Sequence, residues 1–205
     1  MSPTNAATRV ALTDIPDSWR WMKPDFALRL LPMTAAFAAV EIIWRPSWTG
    51  FSIGWLSVQL LFGLVTAPIL FVAATWVQLL LARRRGGLGA PSGPRDAAFQ
   101  AGFYLVNGPI EEAFFRGLIQ GGLGALVAPP VGFIAGTLAY VLYHRLGWSW
   151  ADTLATALVG VPLGLAFWLL PGPPSLLGVS IAHVAATCGF LGPGPYVLWK
   201  LRLVP

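Results

Sequence analysis

The chain has 205 residues, enough for one compact domain, yet 56% of them are hydrophobic and only 10% charged, with a mean hydropathy of +0.69. A soluble domain covers its surface with roughly a quarter charged residues, so this composition excludes an ordinary cytosolic enzyme, a disordered chain and a secreted disulfide scaffold. It leaves an all-α fold, a polytopic bundle of transmembrane helices, in which about six spans of about 20 residues each fit the length.

Taken in chain order, residues 1–26 form a polar segment with an interfacial Trp19-Arg20-Trp21, a pattern typical of a membrane edge. Met1 to Trp21 lacks the apolar core of a signal peptide, so the first span is expected to direct insertion itself. That span runs from Ala27 to Trp44 and is closed by Arg45-Pro46; Glu41 and Arg45, at i and i+4, are expected to pair near its end. The second run, Gly54 to Ala82, carries no charge, is expected to kink at Pro68, and is stopped by Arg83-Arg84-Arg85. A third run covers Ala97 to Ala128. Asn107-Gly108-Pro109 reads as a break that separates an approach segment, 97–106, from a main helix over 109–127 with Pro109 in its first turn. Three further spans follow: Val131 to Tyr143, Asp152 to Leu170 with Asp152 as its cap, and Ser175 to Leu191. The chain thus divides into residues 1–26, two accessory helices over 27–96, a helical core over 97–191 and a short basic tail over 192–205.

The charge distribution orients these spans. With the N-terminus inside, inside segments hold Arg9, Arg20, Lys23, Arg29, Arg83, Arg84, Arg85, Arg95, Arg145, Lys200 and Arg202, whereas outside loops hold only Arg45. This asymmetry predicts both termini on the cytoplasmic side. It also accounts for the net charge of +5 without a nucleic-acid partner. The expected location is a multi-pass integral membrane protein, in the cytoplasmic membrane if the source is bacterial. Cys188 is the single cysteine, which excludes an intrachain disulfide and a CxxC metal site. The glycine pairs 117/121, 132/136 and 160/164 have the i, i+4 spacing that brings helices close together, and are read as packing contacts.

Ionisable groups inside spans cost about 2.5–3.5 kcal/mol each on insertion scales, so the few present are informative. Glu112 and Arg116 are spaced i, i+4 in the favourable order and can neutralise one another. Glu111 points about 100° away from Glu112 and remains available, either desolvated towards neutrality or steadied by a polar partner. The only two histidines, His144 and His183, fall on two other spans. Each alone has an ordinary structural reading. Together with the Glu111-Glu112 pair they place three chemical groups on three helices of one small bundle, whose interior is where such groups converge.

The motifs Glu111-Glu112-x-x-x-Arg116, Tyr140-x-x-x-His144 and His183-x-x-x-Thr187, in that order, resemble the CPBP family of intramembrane proteases, which comprises type II CAAX prenyl proteases and bacteriocin-processing or Abi-like proteins. The resemblance covers about residues 97–191. It implies an endopeptidase in which Glu111 and His144 activate water, His183 donates to the oxyanion, and Glu112 and Arg116 hold the architecture. Its substrate would be a membrane-associated or lipid-anchored polypeptide. The family is described both as metalloproteases and as glutamate-dependent proteases. A site without metal is the preferred expectation, and Zn2+ on Glu111, His144 and His183 is the alternative. Tyr140 stands where the family carries Phe, adding a hydroxyl that needs a partner. Thr187 stands where it carries Asn or Asp, with a shorter reach and a single donor. Thr187 motivates a second reading, a catalytically weak or inactive immunity or maturation partner. A small proton-coupled transporter is a third, since intramembrane Glu and His also serve proton relays.

Overall fold

In the computed structural model the described residues are 16–87 and 89–203; Arg9 and most of the N-terminal polar segment lie outside them. They form eight longer helices, two short 3-10 turns at Ser47–Thr49 and His144–Leu146, and no strand. Helix α1 spans 16–43 and is made of Pro16–Asp25, a π-helical turn Phe26–Leu30, and Leu31–Ile43. Helix α2 is Leu56–Arg85, with Pro68 inside it. Helix α3 spans 94–126 and comprises Pro94–Glu112, a π-helical segment Ala113–Gly121, and Gly122–Leu126. Then come α4, Pro129–Tyr143; α5, Trp150–Ala155; α6, Ala157–Leu169; α7, Leu177–Phe190; and α8, Pro193–Lys200.

Charged side chains are buried inside the molecule while many large apolar ones face outward. Leu61, Leu64, Ile69 and Val72 on α2 are each more than 60% exposed, while Glu112, Arg116 and His183 are at most 1% exposed. Water would not tolerate that distribution, whereas hydrocarbon demands it. Four stretches, Ser18–Ile43, Leu56–Arg85, Trp150–Leu169 and Leu177–Lys200, are long and apolar enough to cross a membrane. Helix α3 is long enough but is not apolar enough to join them, and α4 has only 15 residues.

Pairwise contacts fix the helix directions. Helices α2 and α7 pack most extensively and run parallel, Gln59 lying near Gly178 and Phe71 near Gly189. Helices α1 and α3 also run parallel, from Ser18 on Asp96 to Phe37 on Gly117. Helices α3 and α4 run antiparallel, with Gly132 against Gln120 and Gly124. The largest apolar cluster, around Phe37, Leu70, Leu163, Phe167 and Val179, ties four helices together. The glycine pairs are packing contacts: a Cβ would stand 2.1 Å from the Gln120 carbonyl oxygen at Gly132, 2.3 Å from the Trp48 carbonyl oxygen at Gly121, and 2.8 Å from the Tyr140 ring at Gly160.

Four local expectations are corrected. Asn107-Gly108-Pro109 does not break α3, which continues through all three residues. Gly108 is pressed against Val184, which a Cβ would approach within 2.9 Å, so packing on α7 holds the segment helical despite the missing proline N–H. Asp152 is not the cap of α5. Ser149 caps it, accepting from the Asp152 N–H at 3.3 Å, while Asp152 sits at the third position and binds Arg85 at 2.9 Å. Glu41 and Arg45 do not pair, because the helix ends at Ile43 and Arg45 turns into the left-handed region at φ 44°. Residues 193–200, expected within a tail, form α8, whose Leu198 is buried against Leu79 and Ala82.

Candidate functional site

A cavity of about 400 Å³ opens among α1, α3, α4, α6 and α7, towards the end where α1 begins and α4 and α7 end. Glu111, Tyr140, His144, His183 and Thr187 all line it. Residues from three separate sequence motifs therefore reach one space.

Glu111 and Glu112 stand at the last turn before α3 widens into its π-helical segment. Such widened turns are frequent at functional sites, where they re-aim side chains. Glu112 is fully buried and accepts from two sides: Arg116 Nε at 3.3 Å and His183 Nδ1 at 2.6 Å. Arg116 also donates to the Gly160 carbonyl at 2.9 Å and to Thr137 at 3.4 Å, and its guanidinium lies 5.2 Å from the centre of the Tyr140 ring. A fully buried arginine needs this saturation, since each unpaired donor in a low-dielectric interior is costly. The expected pairing of Glu112 with Arg116 is present, and it anchors α3 to α4 and α6.

Glu111 is steadied by partners. One carboxylate oxygen accepts from Arg29 of α1, and the other lies 3.4 Å from His183 Nε2. Arg29 in turn donates to Asp25 at 2.6 and 2.5 Å and to the Asn107 side-chain oxygen at 2.5 Å. Arg29, one of the cations that the charge distribution puts inside, has a side chain only 20% exposed and belongs to the site.

The histidines differ in what they leave open. The His183 Nδ1–H donates to Glu112, and its Nε2 faces both the Tyr140 hydroxyl at 3.3 Å and Glu111. The hydroxyl that Tyr140 adds therefore has its partner. His144 donates from Nδ1 to the Tyr140 carbonyl at 2.7 Å, and Tyr140, Tyr143 and Trp148 surround its ring with centroids 4.8 to 5.6 Å away. A neutral imidazole with its proton on Nδ1 carries an acceptor at Nε2. His144 therefore leaves its Nε2 without a hydrogen-bond partner among the described residues.

A three-ligand zinc centre on Glu111, His144 and His183 needs an open lone pair on each. Here Arg29 and His183 hold Glu111, while Glu112, Tyr140 and Glu111 surround His183. Among the described residues no three His, Cys, Asp or Glu side chains form a metal-holding group. Zinc on these three residues would take the Nε2 of each histidine, whose Nδ1–H already goes to an oxygen, and would compete with Arg29 for Glu111.

Residues 94–188 match the family model of Rce1-like type II CAAX prenyl endopeptidases. This part of the chain, a little under half of it, is similar to the CAAX protease family. The matched segment contains all three motifs and runs from the start of α3 almost to the end of α7. No curated protein and no solved structure matches the chain. The similarity to an endopeptidase of this kind agrees with the apolar exterior and with four helices long and apolar enough to cross a membrane, as in an integral membrane protein.

Sequence reasoning missed Arg29, Asp25 and Asn107. A usable signal existed for Asn107. Asp96, Gln100, Asn107 and Glu111 are spaced so that an uninterrupted helix carries them on one face. The break read at Asn107-Gly108-Pro109 hid that stripe.

Proposed function

We propose that the chain is an intramembrane endopeptidase that hydrolyses a peptide bond in a membrane-associated or lipid-anchored polypeptide, at a site opening towards the cytoplasm. The observation that carries this reading is the convergence of Glu111, His144 and His183, from α3, the turn after α4, and α7, on one cavity. Glu111, fixed between Arg29 and His183, orients a water molecule, and the open Nε2 of His144 takes its proton. The water oxygen bonds to the scissile carbonyl carbon, and the carbonyl oxygen gains the negative charge. Collapse of this intermediate breaks the C–N bond, and His144 returns the proton to the departing amine nitrogen. Glu112, Arg116 and Tyr140 hold His183 and the helices in register. These steps require no metal.

The proposed topology is multi-pass, with the basic ends of α2, α3 and α8 in the cytoplasm, consistent with the helix directions. The matching family model is that of type II CAAX prenyl endopeptidases, so an S-farnesylated, internally quenched CAAX peptide is the first probe. Purified protein in lipid vesicles is expected to cleave it, while Glu111→Gln and His183→Ala are not. Equal cleavage by all three would sink the reading. A non-catalytic immunity or maturation role, motivated by Thr187, would instead show as a full cellular phenotype with a stable Glu111→Gln protein.

A further inference from the structure

The hydrolytic reading needs a hydrogen-bond donor for the developing oxyanion, and the residues expected to supply it are committed elsewhere. His183 gives its Nδ1–H to Glu112 and presents Nε2 to Tyr140 and to the Glu111 carboxylate, a neighbour that repels an oxyanion. His144 spends its Nδ1–H on a backbone carbonyl. The Arg29 guanidinium is divided among Asp25, Asn107 and Glu111. The Thr187 hydroxyl lines the cavity with nothing to fix its direction.

Asn107 is different. It is 4% exposed, lines the cavity, and lies one helical turn before Glu111 on the same face of α3. Its side-chain oxygen accepts from Arg29 at 2.5 Å. Because a guanidinium can only donate, that contact decides which end of the amide is oxygen and which is nitrogen. The NH2 group has no partner among the described residues. It is not sealed in either, since the enclosed unpartnered polar atoms are Glu41 Oε1, Gln120 Oε1 and Thr153 Oγ1. A buried carboxamide pinned at its oxygen and open at its nitrogen, beside the carboxylate that holds the water, is a preorganised donor.

We propose that Asn107 is a catalytic residue of this chain, its Nδ2–H donating to the scissile carbonyl oxygen as that oxygen becomes the tetrahedral oxyanion. It thereby supplies from α3 the amide that Thr187 lacks on α7. The donation grows stronger as charge develops, so it acts on kcat rather than on substrate affinity. The proposal rests on the protease reading, and its failure is separable from the failure of that reading.

The test is steady-state cleavage of the farnesylated probe by full-length protein in vesicles, with Glu111→Gln as blank and thermal unfolding as folding control. Asn107→Ala is expected to lower kcat by about 10²–10³, the range for loss of one oxyanion donor, with KM moving far less. Asn107→Asp keeps the acceptor for Arg29 but replaces the donor with a negative charge. It is expected to be at least as impaired as Asn107→Ala while unfolding no earlier than wild type. Thr187→Asn placed in the Asn107→Ala background is expected to recover kcat by at least about tenfold, by restoring an amide donor across the cavity. If Asn107 only positions Arg29, Asn107→Asp keeps wild-type kcat and the double variant gains nothing; that result overturns the proposal and leaves the protease reading standing. No cleavage by wild type above the Glu111→Gln blank overturns both.

Discussion

Arg29 holds the buried Glu111 carboxylate from a different helix, 82 residues away in sequence. Removing one partner of a buried ion pair strands the other, at a cost of about 3–5 kcal/mol. Arg29 keeps one-fifth of its side chain exposed, so Arg29→Met should cost near the lower end, about 3 kcal/mol. Equilibrium unfolding in mixed micelles measures this, and a loss below about 1 kcal/mol would mean that the contact is ordinary surface pairing. Arg116 is fully buried. Arg116→Met should therefore cost about 3–5 kcal/mol, and Glu112→Gln combined with it should cost less than the two losses added, because the double variant no longer buries a lone charge. The motif residues were legible because fixed spacing ties each to a neighbour on its own helix. Arg29 was not, because no spacing rule links one helix to another. Its one signal was position: it lies two residues inside the first apolar run, where a loop cation does not belong.

At the level of elements, the sequence shows where apolar runs begin and end but not how strongly packing overrides local preference. Asn107-Gly108-Pro109 has the composition of a break, yet α7 lies so close to Gly108 that the helix continues and delivers Asn107 and Glu111 to the same face. Glu41 and Arg45 have pair spacing, but that spacing means nothing once the helix ends between them. The glycine pairs were legible because small residues at i, i+4 have one dominant use in a bundle. Two substitutions separate close approach from mere composition. Gly132→Val should destabilise by about 3 kcal/mol, the upper part of the overpacking range, because the new side chain meets the α3 backbone. Gly102, also helical, has nothing within 4 Å of its would-be Cβ. Gly102→Ala should therefore stabilise the protein, by about 0.5–1 kcal/mol from backbone entropy. Thermal unfolding of both variants in one detergent decides it, and equal shifts would contradict the packing account.

Across the whole molecule, scarcity of charge set the class of protein at once. Among few ionisable groups those held inside stood out, and the structure gathers Glu111, Glu112, Arg116 and His183 into a connected network with Arg29. The cytoplasmic orientation has its own test. In a Cys188→Ser background, a cysteine at Arg84 should react with a membrane-impermeant maleimide only after the cells are opened. A cysteine at Arg45 should react in intact cells. Labelling of both from the same side would contradict the alternating bundle.

The central claim is that Glu111 and His144 activate water for peptide hydrolysis. Mass spectrometry of a farnesylated CAAX peptide incubated with vesicles carrying wild type, Glu111→Gln or His144→Ala tests it most directly. The account predicts one new amine and one new carboxylate terminus with wild type, formed at least about 10²-fold more slowly by either variant, as expected when an acid–base group is removed. Correctly folded variants that form the same fragments at the wild-type rate would contradict it.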